Sequence, residues 1–375
     1  MYLALLELKA ARGRFLLMGC VVLLVAALVG IVSGFTTGLG DDTVSALRRL
    51  PATHLAFSPD SGTDQFARSL VPAETLDRWR GQPGVRAAPL GVSLTRGTTD
   101  RHTEVDLAAF GVEPGSFLDP GAEDGQRLGG DDQLVISRKL AEEGVRIGDT
   151  LTVDRLGIAL KVTGITGRSS YGHVPAGYVT TATWQRIRFT TPGATTPGAT
   201  TPATALPQQY AAIALQADDG ARLADADREF GTRTLTVEQA YAAAPGYTGE
   251  RVTMTSIQFF LYLIAPLVVG AFFGVWTVQR QPELALLRAM GASRRRLLGH
   301  TLAQAAAVVL GGTLAGAALA SAVGLLVGTE VPFSLPGLSL ATTMGAVALA
   351  ALAGAALTLR RVAKADPMTM LGAGR

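Results

Sequence analysis

Phe15–Phe35 reads FLLMGCVVLLVAALVGIVSGF, and three further stretches of the same kind follow at Ser256–Val278, Thr301–Val327 and Leu338–Leu359. None of the four contains an acidic or basic side chain. Each is about 20 residues or longer, which at the helical rise is enough to cross a bilayer core. The 375-residue chain is 48% hydrophobic, with a mean hydropathy of +0.30, above what a water-soluble globular protein carries. Four spanning helices are therefore the first expectation. Lys9, Arg12 and Arg14 ahead of the first span give it the look of a signal peptide. Its apolar run is longer than a signal h-region, though, and no A-x-A cleavage site follows Ile31, so it reads as an uncleaved helix.

Charge sets the orientation. The segments 1–14, 279–300 and 360–375 hold Lys9, Arg12, Arg14, Arg280, Arg288, Arg294, Arg295, Arg296, Arg360, Arg361, Lys364 and Arg375, against Glu7, Glu283 and Asp366. Residues 41–250 carry 20 basic and 26 acidic side chains, a net of −6. Positive-inside bias puts both termini and the 279–300 loop in the cytoplasm, and the 41–250 segment outside. The protein is thus expected in the cytoplasmic membrane, in contact with lipid, with an amphipathic cytoplasmic N-terminus over 1–14 and a cytoplasmic tail over 360–375. No nucleic-acid partner is expected.

Residues 41–250 are too many for a loop and suit a domain of mixed α/β structure. Leu134–Ile136, Leu151–Val153 and Leu160–Ile165 read as strands, and Ala73–Arg80 and Arg138–Glu143 as short helices. Thr190–Thr204 repeats Thr-Thr-Pro-Gly-Ala and reads as an excursion with no core of its own. His102, Glu104 and Asp106 alternate as one face of a strand would, which suits either a metal site or a solvated edge. No Cys/His cluster has metal spacing, no catalytic constellation is visible, and the single Cys20 forbids an internal disulfide.

In the third span Gly312, Gly316, Ala320, Gly324 and Gly328 recur every four residues, so they share one helix face and let another backbone approach closely. Ala346, Ala350 and Gly354 offer a matching stripe on the fourth span, which predicts that spans three and four pack together. Pro266 predicts a kink or an unpaired carbonyl in the second.

Between spans two and three, Gln279–Leu298 reads QRQPELALLRAMGASRRRLL. Pro282 suits a first helical turn, Glu283 the positive end and Arg288 the negative end, Gly291 the stop, and Ser293 the cap of the next helix. Such a helix over 282–290 exposes Leu284, Leu287 and Arg288 to whatever docks there. On the residues alone it is equally a plain amphipathic connector.

The same stretch resembles the signature of the MacB/FtsX-type (type VII) ABC transporter permeases, R-E-I-x-L-L-R-A-x-G-A-x-x-x-x-L, through Glu283, Leu284, Leu286, Leu287, Arg288, Ala289, Gly291, Ala292 and Leu297. Arg360–Leu371, RRVAKADPMTML, is similar to the family's closing R-x-A-x-x-x-P-x-x-x-L. Pro282 stands where a charged residue is usual, and Gln304 where many members carry a glutamate. The resemblance implies four transmembrane helices with a MacB-like extracytoplasmic domain between the first and second. It also implies a homodimer, and mechanical transmission driven by a separate cytoplasmic ATPase subunit. Glu283, Leu284, Leu287, Arg288, Gly291 and Ala292 would couple to that subunit. No G-x-x-x-x-G-K-[ST] occurs, so ATP and Mg would bind on the partner, and the chain itself is expected to be no enzyme and to hold no cofactor.

Glu7–Phe15, ELKAARGRF, and the single four-span unit look most like the haem-exporting HrtB- and DevC-like branch. That implies haem as substrate, with oxygen, nitrogen or sulfur donors near the outer boundary. Tyr241, Tyr247, Glu250 and Met254, just before the second span, and His54, soon after the first, are the candidates. The bland reading of the tyrosines is an interfacial aromatic belt. The alternatives for function are export of an antimicrobial peptide, lipid or lipoprotein, and FtsX-like signalling to a cell-wall hydrolase without transport.

Overall fold

A computed structural model of the chain describes residues 12–62, 65–190, 206–279, 293–327 and 331–364. The chain divides into two compact units, one made of Met1–Leu39 with Arg251–Arg375 and the other of Gly40–Glu250.

The first unit is built on four helices long and apolar enough to cross a membrane: α1 (Arg12–Arg48), α8 (Tyr247–Gln279), α9 (Arg294–Val327) and α10 (Gly337–Lys364). Helix α1 runs well past the expected end of its span at Phe35, and α8 begins before Ser256. Hydropathy marks only the stretch that must meet lipid, whereas the helix itself continues through polar residues that make no demand on hydropathy. Phe15, Met18 and Val22 of α1, Val269, Phe273 and Trp276 of α8, Ala305 and Val309 of α9, and Ala351 and Ala355 of α10 bury one another in a common core. The Phe15 and Trp276 rings meet edge to face at 4.8 Å.

Close backbone approach explains the glycines. A Cβ on Gly312 would lie 2.7 Å from Val22 Cγ1, and one on Gly316 would lie 2.6 Å from Ala26 Cβ and 2.8 Å from the Leu23 carbonyl. Ala320 sits under Gly30 of α1. Gly312, Gly316 and Ala320 of the α9 stripe therefore seat α1; α9 and α10 also pack on each other, as expected of spans three and four. Gly324 and Gly34 both lie close against the Phe333 ring. Gly328 lies outside the described residues. On α10, Gly354 meets the carbonyl of Pro266 in α8, where a Cβ would stand only 2.3 Å away. A small-residue stripe announces that a backbone comes close; it does not say which one.

The second unit, Gly40–Glu250, is a mixed α/β domain. Its strands are β1 (His54–Phe57), β2 (Val71–Pro72), β3 (Val85–Thr99), β4 (Glu104–Val112), β5 (Asp124–Gly125), β6 (Gln133–Ser137), β7 (Thr150–Val153), β8 (Ile158–Thr166), β9 (Ser170–Tyr171), β10 (Val174–Thr180), β11 (Gln209–Tyr210), β12 (Ala212–Ala217) and β13 (Arg233–Thr236). Short helices α2 (Gln65–Arg68), α3 (Ala73–Arg80), α4 (Arg138–Glu142), α5 (Thr181–Phe189), α6 (Leu223–Phe230) and α7 (Val237–Ala240) decorate them. The strand order is β13-β1-β12-β3-β4-β10-β6-β8-β5. Because β7 pairs with both β3 and β8, the strands β3, β4, β10, β6, β8 and β7 close on themselves, which leaves that ring without a free edge.

Strand β3 joins the two halves of the domain. Its residues Val85–Leu90 pair with β12, and Gly91–Thr98 pair with β4. At the changeover the fully buried Trp184 lies flat on Gly91 and Gly111, where Cβ atoms would stand 2.2 and 2.4 Å from it. A second core of Trp79, Leu76, Ile213, Leu215 and Ala226 packs α3 and α6 on the β1-β12 side. The expected strands 134–136, 151–153 and 160–165 fall in β6, β7 and β8. His102 does not share a strand face with Glu104 and Asp106: it sits in the β3–β4 turn at φ +61°, while Asp106 pairs with Arg96 at 2.9 Å. Alternation in the sequence was a turn followed by a strand.

Candidate functional site

The predicted site residues fall into three groups. Glu283, Leu284, Leu287, Arg288, Gly291 and Ala292 lie outside the described residues. Met254 is a half-buried residue of α8 in the helical unit. Tyr241, Tyr247, Glu250 and His54 belong to the inserted domain.

Tyr241 and Tyr247 stand edge to face, 6.0 Å between ring centroids, and the Arg48 guanidinium lies over the Tyr241 ring at 5.9 Å. Both tyrosines pack part-buried against the main core. His54 opens β1, with its Cα paired to Leu215 and Thr236, and its ring contacts Thr53 Oγ1 at 3.0 Å. Burial holds its pKa below the ordinary value, against the pull of Asp227, so it is a neutral imidazole at pH 7.

Glu250 is the member with a built environment, and its partner is one the sequence did not single out. Strands β9 and β10 pair Tyr171 with Val174 across a two-residue turn, Gly172–His173, with φ of +57° and +67°. Two positive φ values in succession mark a type I′ hairpin, where glycine or asparagine is usual. Histidine there is a cost in backbone conformation, and such positions point to a role for the side chain. The imidazole reaches both helices through which the chain enters and leaves the domain. Its Nδ1 lies 3.1 Å from Asp42 Oδ2 on α1, and its Nε2 lies 2.7 Å from Glu250 Oε1 on α8.

The surroundings complete the cluster. The Thr43 hydroxyl donates to Glu250 Oε2 at 3.1 Å, and the Gly172 N–H donates to the Thr43 carbonyl at 2.8 Å. Lys139 of α4 pairs with Asp42 Oδ1 and donates to the His173 carbonyl at 3.0 Å. Ser170 Oγ donates to Asp42 at 3.2 Å, the Ser170 N–H donates to Ser45 Oγ at 2.9 Å, and Tyr171 Oη donates to the Ala243 carbonyl at 3.1 Å. A neutral imidazole donates from only one nitrogen, whereas the charged ring donates from both. Burial alone would lower the His173 pKa, but the hydrogen bonds and charges of Glu250 and Asp42 outweigh it and hold it above 6.5. The carboxylates lie at opposite ring nitrogens and do not converge on a common point. Among the described residues no group of three His, Cys, Asp or Glu side chains can hold a metal ion.

Sequence reading found Glu250 and missed His173, Asp42 and Lys139, which are 77, 208 and 111 positions away from it in the chain. The one available signal was Gly172–His173 as a turn between strand patterns.

Comparison with known proteins adds the following. Residues 255–367 match the FtsX-like permease C-terminal family. The chain is 23% identical over 372 residues to a Staphylococcus haemolyticus protein provisionally described as the hemin transport system permease HrtB, covering 99% of each chain. It is 22% identical over 375 residues, 100% of each, to the similarly described protein of Staphylococcus epidermidis ATCC 12228. Among solved structures, the extracellular domain of the ABC-type transporter YknZ from Gram-positive bacteria is similar over 49% of this chain and 98% of its own, at 14% identity and a TM-score of 0.35. The periplasmic region of MacB from Actinobacillus actinomycetemcomitans is similar over 52% and 92%, at 11% identity and a TM-score of 0.36. Both likenesses are too slight to define the domain.

Proposed function

We propose that this permease of an FtsX-type ABC transporter exports haem. The observation that carries the reading is the likeness, end to end, to two staphylococcal chains described as hemin transport permeases. A separate cytoplasmic ATPase, with ATP and Mg bound to it, docks on the 279–298 loop through Glu283, Leu284, Leu287, Arg288, Gly291 and Ala292. Two copies of the chain assemble. Both termini face the cytoplasm and residues 41–250 lie outside, an orientation that the distribution of basic residues supports.

Haem is an amphiphile with an apolar ring and two carboxylates, so it partitions into lipid and needs a donor to its iron at the membrane boundary. Tyr241, Tyr247 and Glu250 supply oxygen donors, Met254 sulfur and His54 nitrogen. Of these, Glu250 is already held by His173 and Thr43, so haem would exchange one partner of that carboxylate for another. Purified chain in lipid nanodiscs should shift the Soret band of added haem, and Tyr247→Ala or Glu250→Ala should weaken that shift. A spectrum unchanged by excess protein overturns the haem reading and leaves peptide, lipid or lipoprotein export, or signalling to a cell-wall hydrolase.

A further inference from the structure

We propose that His173 is a proton-dependent latch that fastens α1 and α8, the two helices by which the chain enters and leaves the inserted domain, to the β9–β10 hairpin. The latch is closed while the imidazole carries charge, and it opens as the charge is lost. Its value for transmitting motion rests on the permease reading; its existence does not.

Three observations carry it. The first is topological: Asp42 and Thr43 lie two and three residues inside the domain's first boundary at Gly40, and Glu250 is its last residue. The single side chain of His173 touches both crossings. The second is stoichiometric: both ring nitrogens face carboxylates, an arrangement only the imidazolium satisfies. The third is conformational: a left-handed histidine occupies a two-residue turn position where glycine would be easier.

The groups facing the ring are Asp42 from α1, Glu250 from α8 and Lys139 from α4, whose ammonium is shared between Asp42 and the His173 carbonyl. Glu143, after α4, adds a carboxyl that burial holds above the usual range, against the pull of Lys139. Excluding His173, the groups in contact with one another are two carboxylates and one ammonium, so the imidazolium brings the cluster to neutrality. When it loses its proton, one carboxylate loses its partner and the cluster carries a net negative charge. Because the folded-state pKa lies above 6.5, the fastening is fully present below about 6.5 and is lost as pH rises through the folded value.

Amide hydrogen exchange on the full chain in nanodiscs, without ATPase or haem and corrected for intrinsic exchange, tests this. Protection of 40–48 and 247–250 should fall on the order of tenfold as pH rises from 6 to 9. His173→Asn, which suits the turn but cannot bridge, should show low protection at every pH and no step. Protection in β3 and β4 should be unchanged, which marks the domain as folded. Should those strands also lose protection, Asp42→Asn and Glu250→Gln decide, since each should flatten the step without touching the turn. A step that survives in His173→Asn, or in both carboxylate variants, overturns the latch. A failed haem titration leaves this result standing, and the reverse holds as well.

Discussion

The helical unit and the inserted domain are held by opposite means. In the first, helices approach until backbone meets backbone: Gly312 and Gly316 against α1, and Gly354 against the Pro266 carbonyl. The described core there is aliphatic and aromatic, whereas the domain carries ion pairs such as Arg101–Asp149 and Lys139–Asp42. In the domain, a closed ring of strands buries large aromatics such as Trp184, and the two chain crossings are fastened by charge at His173. Lipid offers apolar groups no gain from clustering, so closeness of packing is what remains to the helices. In water, ionisable groups can be used where a contact must be reversible.

That contrast can be broken from either side. The largest effect is expected in the domain. Trp184→Ala empties the space over Gly91 and Gly111 and should cost about 3–5 kcal/mol. Scanning calorimetry on the full chain should then show the domain's transition displaced downward by roughly 10 °C or more, with the helical unit's transition in place. An unmoved transition would mean that the β3 changeover does not depend on that ring.

Next in size is the helix contact. Gly316→Leu drives a side chain into Ala26 and the Leu23 carbonyl and should cost about 1–3 kcal/mol, seen as a lower melting point in detergent. Gly311→Leu, one helix face away and with open space around its Cβ position, should leave the melting point unchanged. Equal effects at 311 and 316 would show that α9 is sensitive to volume in general rather than to its seat on α1. Smaller than both in stability, but distinct in its pH dependence, is the His173 step.

The same contrast governs what the sequence disclosed. The four spans were legible because lipid demands an uninterrupted apolar run, and nothing else in a chain of this composition looks like one. Gly316 was legible as a packing residue, but α1 as its partner was not, because spacing along one helix carries no information about the second. In the domain the strand cores 134–136, 151–153 and 160–165 were visible by composition. The 15-residue β3, which changes partners at Gly91, was not, since neither alternation nor turn residues mark a strand shared by two sheets. Glu250 stood out for its place before a span. Its partner came from a hairpin 77 positions away, and only the fold brings Asp42, His173 and Glu250 together.

We propose this chain as the membrane half of an ATP-driven exporter. Co-purification of the tagged chain with its ABC ATPase tests that claim most directly. The wild-type chain should retain the ATPase through detergent exchange. Glu283→Ala and Arg288→Ala should lose most of it while still inserting in the membrane. Full retention of the ATPase by both variants, or its absence from the wild-type preparation, would contradict the account.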